Sequence, residues 1–70
     1  MTEHNNAKKL GVRINNARKD KHMAQAELAY RAYIDRSYMG RIERGETNVT
    51  VKVLYQIAHV LDVPPSHLLP

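Results

Sequence analysis

Residues 25–45 read QAELAYRAYIDRSYMGRIERG, two short stretches of helical apolar spacing separated by a few residues. In the first, Leu28, Ala29 and Ala32 fall at i, i+1 and i+4, while Glu27 and Arg31 stand four apart on the polar side as an acid-to-base pair. In the second, Met39 and Ile42 can rest on a core while Arg36, Ser37, Tyr38, Arg41 and Arg44 remain for other faces. Asp35 is suited to cap this second helix, its carboxylate accepting the amide hydrogen of Ser37 or Tyr38. Gly45 can end it in a left-handed conformation.

The flanking segments supply a core for this pair. From residue 7 to about residue 19, Leu10, Ile14 and Ala17 recur at helical spacing with Lys9, Arg13 and Arg18 on other faces, predicting a first amphipathic helix followed by a turn at residues 20–22. Thr50 is placed to cap a fourth helix in which Val51, Leu54, Ile57, Ala58 and Leu61 recur every 3.6 residues. Val63 and Pro64 break it, and Pro65 stands at the first position of a short fifth helix ending near Leu69. Residues 1–6 are polar and aperiodic and are expected to be a flexible tail, leaving residues 7–70 as one domain. No segment alternates with a two-residue period, so the expected fold is all-α, a compact domain of five helices.

A chain of 70 residues buries only about 60% of the surface its unfolded form exposes. With no cysteine it has neither a disulfide framework nor a thiolate metal site. No apolar run approaches the roughly 20 residues that span a bilayer, and the N-terminus has no apolar leader core, which implies a cytoplasmic protein with no membrane partner. The four histidines, His4, His22, His59 and His67, do not stand at metal-ligand spacings, so neither a metal nor another cofactor is expected. With no glycine-rich phosphate loop, cysteine nucleophile or plausible triad, an enzyme is not expected either. Eleven Lys and Arg against seven Asp and Glu leave a net charge of +4, which suits a polyanionic partner. The second helix of the pair, apolar on one side and rich in hydrogen-bonding groups at its start, is suited to the major groove of double-stranded DNA.

QAELA at residues 25–29, IDRSYMGRIERG at residues 34–45 and VLYQIAHVLDVPPSHLL at residues 53–69 resemble, in that order, the Cro/C1-type (Xre) helix-turn-helix family of phage repressors and bacterial regulators, whose domain is lambda repressor-like. Within it, DRSYMGRIERGETNVTV at residues 35–51 looks most like the controller proteins of restriction-modification systems, dimeric regulators of their own operon. The resemblance implies a sequence-specific transcription regulator that binds a palindromic operator as a homodimer. The alternative is an antitoxin or bridging module of the same fold whose main partner is a protein.

Only in the major groove does every base pair show a distinct donor and acceptor pattern. With Asp35 as cap, Arg36 and Ser37 are the first helical residues, and Arg36 is the leading base reader because its planar fork can bond guanine O6 and N7 together. Its alternatives are a solvated charge or a salt bridge to Asp35 or Glu43. Ser37 would add a tolerant base contact, and Arg41 is a candidate for either base or phosphate. The family uses a residue in the position of Gln25 as a phosphate clamp, beside the free amides of the following helix. Asn48 and Thr50 are further phosphate candidates, with local turn and cap chemistry as the alternative, as are Tyr38 and Arg44. The family pattern also pairs a basic residue late in the first helix with the glutamate of ERG, here Arg18 with Glu43, implying a partly buried structural salt bridge.

Three departures from the family pattern bear on the turns. His22 and Tyr33 stand where glycine is common, and Ala24 replaces the usual Ser or Thr cap, leaving Glu27 to bond back to the Ala24 amide. Apolar residues beyond the core stripe are expected to form the dimer contact: Val60 and Leu69 first, with Val53 and His59. One of Leu68 and Leu69 is expected to close the core instead.

Overall fold

The computed structural model describes residues 3–70. Among them the chain forms α1 (Glu3–Asp20), α2 (Gln25–Arg31), α3 (Arg36–Glu43) and α4 (Val51–Leu61), followed by a 3-10 turn at Pro65–His67. The architecture is all-α, with four helices and a closing turn where five helices were expected. Pro64 and Pro65 offer no amide hydrogen, so the first bonds available are His67 N–H to Pro64 O at 2.9 Å and Leu68 N–H to Pro65 O at 3.0 Å. Leu68 then turns fully into the core. The chain thereby chooses Leu68 over the half-exposed Leu69 as its closing residue.

α1 starts earlier than the apolar pattern suggested. Glu3 to Asn6, expected as tail, form its first turn, while residues 1 and 2 of that tail lie outside the described residues. Ala7 is buried, and helix geometry supplies its amide with an acceptor four residues back. Ile14, Leu28, Met39, Ile42, Ile57, Leu61 and Leu68 are the largest fully buried side chains, drawn from all four helices and the final turn. The α2 and α3 pair is held on this core from two sides, by α1 beneath α3 and by α4 beside α2. Gln56 of α4 donates its side-chain amide to Ala32 O at 2.7 Å, satisfying a carbonyl that the end of α2 leaves open.

The caps follow local chemistry. Asp35 accepts from the Tyr38 amide and Thr50 from the Val53 amide, each at 3.2 Å. Ala24 makes no side-chain cap. Glu27 does not bond back to it; its carboxylate takes Arg31 at 3.4 Å, an opposite charge one turn along the same face.

All four helices end on the same device. A left-handed residue follows each one: His22 (φ 54°), Tyr33 (φ 59°), Gly45 (φ 75°) and Asp62 (φ 58°). The next residue's amide then reaches five residues back: Met23 to Arg18 O, Ile34 to Ala29 O, Glu46 to Arg41 O and Val63 to Ala58 O, at 2.9–3.2 Å. Met23 and Ile34 are buried immediately after their turns, so burial of the following side chain offsets the cost of left-handed backbone at a residue bearing a Cβ. Tyr33 is 91% exposed and loses almost nothing if truncated. Tyr33→Gly is therefore expected to stabilise the domain by about 0.5–1 kcal/mol, relief of left-handed strain less the entropy of the freer chain. Thermal unfolding reads this directly, and an unchanged or lower Tm would show that the turn carries no strain.

Gly11 explains how closely α1 approaches α3. A Cβ built there would lie 2.6 Å from both Ile42 O and Glu43 O, backbone atoms that cannot swing aside. Alanine is the better helix former by about 1 kcal/mol, yet overpacking against main chain costs about 1–3 kcal/mol. Gly11→Ala is expected to lower Tm in spite of its propensity gain. A rise would mean that α1 and α3 can separate freely.

Candidate nucleic-acid interface

The turn between α2 and α3 and the crossing of α1 beneath α3 bring Gln25, Arg36, Ser37, Gly40, Arg41 and Arg44 to one open groove of about 470 Å³. Arg36, the first residue of α3, and Ser37 are exposed at its mouth, with Arg41 farther along the helix. Among the described residues, neither Arg36 nor Arg41 has a carboxylate partner. Of the two acids weighed as partners of Arg36, Asp35 accepts instead from the Tyr38 amide and Glu43 from donors of α1 and α2. Two guanidiniums therefore face solvent with their forks unused.

The remaining candidates are more engaged than their sequence positions imply. Gln25 donates one amide hydrogen to Glu43 Oε1 at 3.2 Å, leaving the other for a phosphate. Its Oε1 lies over Gly40, 3.6 Å from where a Cβ would stand. Tyr38 is half-buried against the core and donates its hydroxyl hydrogen to Asn48 O at 3.3 Å, so as a phosphate donor it would first have to leave that carbonyl. Thr50 spends its oxygen lone pair on the Val53 amide and retains its hydroxyl hydrogen. The Asn48 side chain is exposed in the loop before α4. Arg44 is held by Glu46 through two bonds, Nε to Oε2 at 2.8 Å and Nη2 to Oε1 at 3.2 Å. That hydrogen-bonded pairing holds the Glu46 carboxyl below, and the Arg44 guanidinium above, its usual value.

Behind the groove lies a charged hub. Glu43 accepts from Arg18 Nε at 2.8 Å and Nη2 at 3.0 Å, from Asn15 Nδ2 at 2.9 Å and from Gln25 Nε2 at 3.2 Å. Arg18 also donates Nη1 to Met23 O at 2.8 Å. The pair is nearly sealed, with side chains 11% and 3% exposed. Burial pushes the Glu43 carboxyl up, but the hydrogen bonds from Arg18, Asn15 and Gln25, with the Arg18 charge, outweigh it and hold the group below its usual value. Asn15 and the link to Gln25 were not visible in the sequence; an asparagine one helical turn before Arg18 was the only available signal.

The residues expected at a dimer contact separate into two places. Val60 and His59 line a groove of about 720 Å³ with Tyr30, Tyr33 and Ile34, where Tyr30 is 83% exposed. Leu69 lines another of about 400 Å³ with Val51, Val49 and Leu10. Val53 is half-buried against the core. No described helix is long and apolar enough to cross a membrane.

Comparison with known proteins agrees with this geometry. The family model described as Helix-turn-helix matches residues 14–68. The transcriptional regulator SinR of Bacillus subtilis is 39% identical over 61 residues, 86% of this chain and 55% of SinR, so the chain spans about half the length of that relative. Among solved structures, the restriction-modification controller protein C.AhdI of Aeromonas hydrophila superimposes with a TM-score of 0.86 at 37% identity, covering 89% of this chain and 94% of the controller. SinR, the master regulator for biofilm formation, solved in complex with DNA, gives a TM-score of 0.81 at 38% identity over 84% of this chain and 95% of that one.

Proposed function

Because the chain belongs to the helix-turn-helix family of Cro/C1-type regulators, which are not enzymes, we propose that it is a cytoplasmic, sequence-specific transcription regulator that binds double-stranded DNA as a homodimer on a palindromic operator. The observation that carries this reading is the groove at the start of α3, where Arg36 and Arg41 present unpaired guanidiniums beside Ser37 and Gln25. Arg36 reads a guanine with Ser37 beside it, Arg41 contacts the next base or its phosphate, and the second amide hydrogen of Gln25 holds backbone phosphate. Asn48 and Thr50 extend the phosphate contacts across the loop before α4, and Tyr38 and Arg44 join them only after leaving Asn48 O and Glu46. Arg18 and Glu43 touch no DNA and set the angle of α3. Residues 7–70 act as the binding domain.

One such module offers too few contacts for tight binding, and a two-fold pair matches half-sites one helical turn apart, about 34–36 Å. The groove of Val60 and His59 and the exposed Leu69 are the apolar surface available for that pairing, and the half-buried Val53 completes the expected set. The likeness to the Aeromonas controller over nearly its whole length supports control of a restriction-modification operon as the biological setting. Neighbouring genes for a nuclease and a methyltransferase would identify it.

Selection of bound duplexes from a random pool tests binding, symmetry and spacing together. The expected product is a palindrome whose half-sites are centred about 10 base pairs apart. An unenriched pool would remove the operator reading. The exposed Tyr30 and Tyr33 line a groove that shares no residue with the one holding Arg36 and Arg41, which favours, as the second reading, a module whose main partner is a protein, such as an antitoxin. No retention on any duplex at physiological salt would favour that reading.

A further inference from the structure

Arg44 lines the candidate DNA groove, yet one edge of its guanidinium is already taken. Glu46, two residues on, takes Nε and Nη2 in a two-pronged grip at 2.8 and 3.2 Å. This is the edge of an arginine that phosphate oxygens take in bidentate recognition. The grip is built by the helix end: left-handed Gly45 turns the chain so that the Glu46 amide closes on Arg41 O at 2.9 Å, which brings the carboxylate back beside α3. Gly45 cannot gain a side chain without striking Lys8 Cα, which fixes the path of the loop. Gly40 leaves the space into which the Arg44 head leans, its Nη1 only 3.0 Å from where a Cβ would lie.

We propose that Glu46 is an intramolecular competitor of DNA phosphate for Arg44, so that Arg44 is masked in the free protein and engages the backbone only when a phosphate displaces the carboxylate. This inference rests on the DNA-binding reading above. Both side chains are about half-exposed, 59% and 51%, so the grip is reversible in water. A tethered carboxylate is present at high effective concentration, and a phosphate must outcompete it. Glu46 thus lowers the affinity for every duplex and removes one phosphate contact per protomer from the salt dependence until displacement occurs. Arg36 and Arg41, which have no such partner among the described residues, keep their contacts throughout.

A double-mutant cycle of Glu46→Gln and Arg44→Gln tests the idea, with affinity for a random-sequence duplex measured across a salt series and folding followed by Tm. In the presence of Arg44, Glu46→Gln is expected to tighten binding about 5-fold at low salt, the upper range for an exposed ion pair. The slope of log K against log salt should steepen by up to about 0.9 per protomer, the limit in which Glu46 still holds Arg44 in every complex of the parent. In the Arg44→Gln background, the same change should gain less than about 2-fold and leave the slope unaltered. An equal gain in both backgrounds would show that Glu46 acts only as a nearby negative charge, close to Arg41 and Lys8 as well, and would overturn the masking. No gain with Arg44 present would overturn it too. If all four proteins fold and none binds duplex DNA even at low salt, the DNA-binding reading fails with it.

Discussion

Replacing Glu43 by alanine is expected to cost about 3–5 kcal/mol, the penalty for leaving a buried charge without its partner. The carboxylate is 3% exposed and takes four donors from three side chains: Arg18 twice, Asn15 and Gln25. Alanine would strand an Arg18 cation that is 11% exposed and retains only the Met23 carbonyl. A 70-residue domain has a total stability of about 4–10 kcal/mol at the usual 0.05–0.15 kcal/mol per residue, so the variant should lose about a third of it or more and its Tm should fall steeply. Urea and thermal unfolding measure this. Replacing Arg18 and Glu43 together by apolar residues of similar volume should cost far less, because no charge is then left behind. Weakened DNA binding at unchanged Tm would refute the structural role assigned to the pair.

The same hub fixes the sign of an acid response. Because donors and the Arg18 charge hold Glu43 below its usual value in the fold, its ionised form is favoured more in the folded than in the unfolded chain. The stabilisation is complete above the ordinary carboxylate range and is lost as pH falls through the lower folded value. Tm should therefore drop along this acid limb in the parent, and the drop should be shallower in Glu43→Ala.

Arg36→Ala is expected to abolish discrimination at one base position per half-site, about 1–3 kcal/mol for a bidentate contact to guanine and twice that over a two-fold operator. Binding to random duplex should change little, since a base contact contributes only where its base is present. The geometry behind this is simple: α3 begins at Arg36, the side chain is exposed, and no described acid holds it. Competition between the selected operator and its single-position variants reads the effect. An equal loss on operator and random DNA would make Arg36 a phosphate contact.

What could be read from the residues in order was what is decided within one helical turn. Asp35 and Thr50 cap helices because an oxygen there meets an amide three residues on, and Gly45 is left-handed as its lack of a Cβ suggested. His22 and Tyr33 are left-handed despite their side chains, and Asp62, which the sequence reading did not flag, joins them. The deciding fact there is the burial of Met23 and Ile34 one residue later, a tertiary event. In the candidate interface, the choice of Arg36, Ser37 and Arg41 came from helix phase. That Tyr38 and Arg44 already hold partners did not, because Asn48 O and Glu46 reach them by the path of a loop.

The sequence alone determined that this chain is all-α, where its middle helices begin and end, and which faces of them are polar, since periodicity and capping act over three or four residues. The tertiary structure decided how those helices meet. Gly11 admits α3 main chain against α1, Glu43 gathers Asn15, Arg18 and Gln25 from two other helices, and Leu68 rather than Leu69 closes the core while the last turn tightens to 3-10. The first two depend on atoms 18 to 32 residues apart in the chain, and no local pattern encodes where such atoms come to rest.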